Sequence, residues 1–210
     1  MRPFTKLDAI AVPYLEANID TDLIIRAERC VYAKREELGF YAFETIRYLS
    51  VDNGAPRGVE NPDCIFNHEP FRGAQILLGG PNFGCGSSRE PAVRAIEGMG
   101  IRCVIAPSFG EIFAGNCLQN GIPVIRLPWE TVERLGGAIL ANADRARLRV
   151  DLAAQTVVDM AGESIAFDFD PLRKKMLLEG LDEIAMTLSM ADRIEAFQKA
   201  DRLRRPWIYF

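Results

Sequence analysis

The sequence predicts an α/β fold with a mixed sheet and helices around it, on three observations. Between residues 75 and 135, short apolar strands alternate with helical segments, the rhythm of parallel strands joined by crossover helices. Between 148 and 169, three short alternating segments succeed one another across small turns, the pattern of an antiparallel β-meander. The chain has 210 residues, 49% of them hydrophobic, enough to bury roughly 70% of its unfolded surface without disulfides or metals.

Taken in order, residues 7–12 (Leu-Asp-Ala-Ile-Ala-Val) read as a first strand. A polar loop, Asn18-Ile19-Asp20-Thr21-Asp22, then runs into apolar Leu23-Ile24-Ile25, its aspartates suited to an Asx-turn. Residues 33–48 are mixed helical with a break at Gly39, and 50–63 form a turn-rich surface connection. Residues 75–78 read as a buried strand, followed by a glycine-rich loop and a helix opening at Pro91, where proline is favoured. Residues 103–106 give the next strand. A helix over 109–119 stops at Asn120-Gly121, with Ser108 as its expected cap and Glu111 as the partner. A short strand at 123–126 and a helix over 129–135, closing at Gly136-Gly137, complete the alternation. The meander follows at 148–152, 156–160 and 164–169, then helices over 170–179 and 189–203. The last residues, Trp207-Ile208-Tyr209-Phe210, are too apolar for a frayed end and are expected to dock on something.

Lys and Arg number 25 against 29 Asp and Glu, a net charge of -4, which argues against a nonspecific nucleic-acid binder. No apolar run approaches the ~20 residues of a membrane span, and residues 1–6 lack the apolar stretch of a signal peptide, so a cytoplasmic location is expected. The five cysteines, Cys30, Cys64, Cys85, Cys103 and Cys117, contain no CxxC pair and fit no metal cassette; most read as small buried hydrophobes. His68 is the one histidine, so all-histidine metal chemistry is excluded, and Cys85 as a nucleophile would have only that imidazole for a base.

The densest chemical signal is Gly80-Pro81-Asn82-Phe83-Gly84-Cys85-Gly86-Ser87-Ser88-Arg89-Glu90-Pro91. Its glycines allow positive φ and close backbone approach. Hydroxyls and a guanidinium follow where the loop enters a helix, whose N-terminus favours an anion. Arg89 adds a carboxylate or phosphate clamp. The order of a P-loop and its lysine are absent, and Arg89 stands where a dinucleotide fingerprint needs its third glycine. The residues themselves describe an anion-binding loop with a hydroxyl placed against the anion. Asp20-Thr21-Asp22 reads as either a plain turn or a second edge of that site, orienting Arg89 or a substrate hydroxyl.

These segments carry a family resemblance. Residues 18–25 (Asn-Ile-Asp-Thr-Asp-Leu-Ile-Ile), then 82–90 (Asn-Phe-Gly-Cys-Gly-Ser-Ser-Arg-Glu), then Ile105-Ala106-Pro107-Ser108-Phe109 through Asn116 and Asn120-Gly121, occur in matching order. Together they resemble the small subunits of 3-isopropylmalate dehydratases, the bacterial two-part type of the aconitase superfamily. The likeness extends through Asn61-Pro62-Asp63, Gly180-Leu181-Asp182 and the closing helix, nearly the whole chain.

The resemblance implies one aconitase-type swivelling β/β/α domain over 1–210 with a C-terminal extension. It implies a hydro-lyase that isomerises 2-isopropylmalate and 3-isopropylmalate by dehydration and rehydration, in leucine biosynthesis. A separate large subunit would carry a [4Fe-4S] cluster, this chain binding no metal. By motif match, Ser87 would be the base that takes the proton α to a carboxylate. Ser88 and Arg89 would hold a substrate carboxylate, Thr21 and Asp22 would line the opposite wall, and Arg35 falls near a position that meets the variable end of the substrate. Pro91 stands where the family has histidine, and Arg26 where it has proline, both beside the expected site. A sibling hydro-lyase acting on another alkyl-substituted malate, or an anion-binding module without catalysis, is therefore the alternative.

Overall fold

A computed structural model of the chain describes residues 1–50, 58–87 and 89–209. Its framework is a seven-stranded mixed sheet in the order β6-β5-β4-β1-β7-β8-β9. Strands β1 (Lys6–Tyr14), β4 (Ile76–Gly79), β5 (Cys103–Ala106) and β6 (Val124–Arg126) run parallel, with Val12 opposite Leu77, Leu78 opposite Ile105 and Ile105 opposite Ile125. Every residue of β4 and β5 is buried, as expected of parallel strands covered on both faces. The meander β7 (Arg147–Asp151), β8 (Thr156–Val158) and β9 (Ser164–Ala166) is antiparallel, and β7 pairs antiparallel with β1. A small hairpin, β2 (Tyr48–Ser50) with β3 (Val59–Glu60), lies apart from this sheet. Most of the turn-rich segment between them, residues 51–57, lies outside the described residues. The expected architecture of mixed sheet, surrounding helices and C-terminal meander stands.

Helices α5 (Glu90–Gly98), α6 (Glu111–Gln119) and α7 (Trp129–Ala141) are the crossovers. Pro91 sits in the first turn of α5, so the departure from histidine is absorbed as a helix-start residue. Helix α7 does not close at Gly136-Gly137. A Cβ on Gly136 would crowd the Leu15 side chain and touch Pro13, so this glycine lets the helix lie close against the end of β1, and an interior glycine costs only about 1 kcal/mol.

Asp20-Thr21-Asp22 is a helix start rather than a free turn. Asp20 caps α1 (Thr21–Ile24), its carboxylate accepting from the Leu23 amide at 2.7 Å. After α2 (Ala27–Tyr32) and a 3-10 turn at Arg35–Glu37 come α3 (Leu38–Tyr41) and α4 (Glu44–Arg47). The break falls at Phe43, not Gly39. Phe43 takes φ 54° because its ring is wholly buried, stacked on Phe66 at 4.8 Å and edge-on to Tyr14, while its amide donates to the Ile24 carbonyl. Gly39 instead sits against Gly98 of α5, close enough that a Cβ would collide with the Gly98 backbone.

At the C-terminus, α8 (Pro171–Glu179) begins at an Asp170 cap and ends at Gly180 with φ 71°. A helix the sequence pattern did not separate, α9 (Glu183–Leu188), follows under an Asp182 cap, and then α10 (Ala191–Arg204). The last residues fold back on α10. Arg205 and Tyr209 both bond the buried Asp201 carboxylate, and Arg202 stacks on the Tyr209 ring at 5.0 Å. Trp207 remains 69% exposed. No described helix is long and apolar enough to cross a membrane.

Candidate active site at the carboxyl edge of the parallel strands

In open α/β sheets ligands gather where the parallel strands end, because loops there can converge. Here β1, β4 and β5 deliver three loops to that edge: 15–20, 80–89 and 107–110. They are stitched along their length. Asn18 donates its amide to the Pro81 carbonyl at 2.8 Å, and the Gly84 and Cys85 amides both reach the Ile19 carbonyl at 2.7 and 3.2 Å. The Thr21 amide donates to the Cys85 carbonyl at 2.9 Å. From the third loop, Ser108 accepts the Asn82 amide on Oγ at 2.8 Å and the Phe83 amide on its carbonyl at 3.0 Å. Gly110 returns a bond to the Phe83 carbonyl.

Backbone freedom makes the path possible. Gly84 and Gly86 have φ +73° and +89°, and Asn82 has φ +59°. A Cβ on Gly84 would run into the Phe113 ring, and one on Gly110 would meet the Gly84 carbonyl, so glycine is required for packing as well as for φ. Ser108 is therefore not the cap of α6, which starts after Gly110 without a side-chain cap; its hydroxyl is a strut of the loop.

Ser87 is exposed at the tip of this assembly, and among the described residues its Oγ has no hydrogen-bond partner. Its carbonyl accepts from Thr21 Oγ1 at 2.9 Å. Thr21 is 1% exposed, so it lies beneath the loop and does not line an open wall as expected. Asp22 is exposed and pairs with the Arg89 guanidinium at the entrance to α5, and that bond raises the Arg89 pKa further above its ordinary value. Of the two aspartates in the motif, Asp22 is the one that contacts Arg89. Ser88 lies outside the described residues. Arg35 is exposed on the 3-10 turn, which packs against α5.

Cys30 lies near Arg89 and Asp22, where burial raises its thiol pKa and the Arg89 charge opposes that rise. Arg26 is paired with Glu28 at 3.2 Å and stands 3.8 Å from buried Glu44, so its charge is spent within α2 and α4. The His68 ring bonds the Pro62 carbonyl through Nε2. Sequence reading assigned no role to Asn18 or Asn82. The detectable signal was two asparagines, each heading an apolar residue in a loop, a residue type that tolerates positive φ.

Comparison with known proteins points to one family. A family model described as the aconitase C-terminal domain matches residues 1–130. A model named LeuD_N matches 137–171, and one described as the C-terminal domain of the 3-isopropylmalate dehydratase small subunit matches 183–209. The chain is 47% identical to the 3-isopropylmalate dehydratase small subunit of Gluconacetobacter diazotrophicus, over 99% of this chain and 97% of that one. It is 45% identical to the protein of the same name from Cupriavidus necator, over 100% and 99% of the two chains. A crystal structure of the 3-isopropylmalate dehydratase of Methanocaldococcus jannaschii shares the fold with a TM-score of 0.60 at 23% identity, covering 92% of this chain and 99% of that one.

Proposed function

The chain belongs to the family of 3-isopropylmalate dehydratase small subunits, and from that premise we propose that it is the small subunit of a two-part hydro-lyase. The enzyme interconverts 2-isopropylmalate and 3-isopropylmalate by dehydration and rehydration, a step of leucine biosynthesis. In this proposal residues 1–210 act as one swivelling domain, with the C-terminal helices as an extension, closing over a large subunit that carries a [4Fe-4S] cluster. When bound there, the cluster would supply Lewis acidity at the leaving hydroxyl. In this reading the ligands of the cluster come from that large subunit, and Cys103 and Cys117 of this chain are buried in the core.

One observation carries the reading: Ser87 is exposed at the tip of a loop whose backbone is bonded to two neighbouring loops, beside the Arg89–Asp22 pair. A serine oxygen is a weak base unless positive dipoles and a cation stabilise its deprotonated form. The start of α5 and Arg89 supply both. Ser87 takes the proton α to a substrate carboxylate and returns it during rehydration. Arg89, oriented by Asp22, holds a carboxylate together with Ser88, and Arg35 meets the variable alkyl end. In this reading the site is divided, and its other wall belongs to the partner.

Co-expression with a cluster-bearing large subunit, and assay of the complex on a panel of 2- and 3-hydroxy diacids, tests this. The isopropylmalates should show the highest kcat/KM, and Ser87→Ala should lower kcat by about 10²- to 10⁴-fold with assembly intact. Wild-type activity in Ser87→Ala rejects the serine as base. Turnover by the isolated chain rejects the divided site.

A further inference from the structure

Thr21 occupies the first position of α1 and has no route to solvent, at 1% exposure. It grips the neighbouring loop twice. Its amide donates to the Cys85 carbonyl at 2.9 Å, and its Oγ1 donates to the Ser87 carbonyl at 2.9 Å. Between those two anchor points lies Gly86, at φ +89°, the residue type with the widest backbone freedom. A loop with glycine at 84 and 86 does not hold its own shape, so the orientation of Ser87 must come from outside the loop. Securing the carbonyls of residues 85 and 87 on either side of Gly86 sets the backbone frame from which the Ser87 side chain projects. The helix that presents Thr21 is itself held by the Asp20 cap, and the next residue, Asp22, holds Arg89.

We infer that Thr21 is a positioning residue for the proposed reaction: it touches no substrate and holds Ser87 where its oxygen can take and return the proton. The inference rests on the assignment of Ser87 above.

The test compares Thr21→Val, which keeps shape and loses the donor, with Thr21→Ser, which keeps the donor, in the enzyme co-expressed with its large subunit. Thr21→Val should lower kcat by about 10- to 100-fold, the scale of a small misplacement of a reacting group, with KM within about twofold. Thr21→Ser should recover most of kcat. In the isolated full-length chain, hydrogen exchange in the peptide 82–89 should quicken in Thr21→Val, with the strands β4 and β5 unchanged. Wild-type kcat in Thr21→Val overturns the inference. So does a kcat loss that Thr21→Ser fails to restore, or one that comes with general destabilisation and loss of assembly, since the role is then structural. Ser87→Ala is run alongside: if it retains activity, the base assignment itself has failed, whatever Thr21 does.

Discussion

Replacing Gly84 by alanine probes the loop's geometry most directly. Gly84 has φ +73°, and a Cβ there would overlap the ring of Phe113, a residue 2% exposed and packed edge-on against Phe83 at 5.6 Å. Left-handed backbone costs a non-glycine residue about 1–2 kcal/mol. Forcing one extra methyl group into a packed contact adds about 1–3 kcal/mol. The sum, about 2–5 kcal/mol, is a large share of a domain's stability of about 5–15 kcal/mol. Urea unfolding of the isolated chain, followed by circular dichroism, should show the midpoint falling by about 1–2 M with the slope unchanged. A double-mutant cycle with Phe113→Ala separates the two causes. The overlap with the ring atoms is removed in the double variant, where only the contact with the Phe113 Cβ position at 2.8 Å remains, so the two substitutions together should cost about 1–3 kcal/mol less than their sum. A cost below about 0.5 kcal/mol for Gly84→Ala, or additivity in the cycle, would refute the reasoning.

Three further outcomes follow from groups away from the loop. Glu44 is 2% exposed and receives Arg29 Nε on both oxygens at 3.2 and 3.1 Å, with Tyr41 beneath the guanidinium; Glu44→Gln should cost about 3 kcal/mol in urea unfolding, and an unaffected midpoint would show the pair to be idle. The Arg205 guanidinium holds the Asp201 carboxyl below its ordinary pKa, with the Tyr209 hydroxyl assisting. A lowered folded-state value means that the contact stabilises above the unfolded value of about 3.9 and is lost as pH falls through the folded one. Trp207 fluorescence in a Trp129→Phe background should therefore change in acid as the C-terminal turn leaves α10, and should lack that step in Asp201→Asn; a wild-type signal flat down to about pH 2 contradicts it. Burial pushes the Cys103 and Cys117 thiols up, so alkylation of the native chain mapped by mass should mark half-exposed Cys85 and spare those two until denaturant is added. Early labelling of Cys103 would contradict the packing.

Much of the frame was legible because it rests on near-neighbour patterns. The fully apolar runs at 76–78 and 103–106 announce buried parallel strands, and Pro91 and Asn120-Gly121 mark helix ends through local chemistry. The glycine-rich loop was legible for the same reason. Where the reading failed, a distant contact overrode a local preference. Gly136 looked like a helix end until β1 lay against it, Gly39 looked like a break until Gly98 met it, and Phe43 took a conformation that only its buried ring explains. Ser108 had the spacing of a cap, yet its hydroxyl serves Asn82, 26 residues away.

The amino-acid order alone determined the α/β class, the meander and the presence of a glycine-rich loop ending in hydroxyls and an arginine, since periodicity, capping and glycine content are properties of adjacent residues. Only the tertiary structure decided that Thr21 lies under Ser87, that Asp22 engages Arg89 and that Ser108 braces Asn82. Those contacts join segments up to 67 residues apart. They exist because the parallel register of β1, β4 and β5 brings three strand ends side by side, where backbone groups from one loop satisfy those of the next.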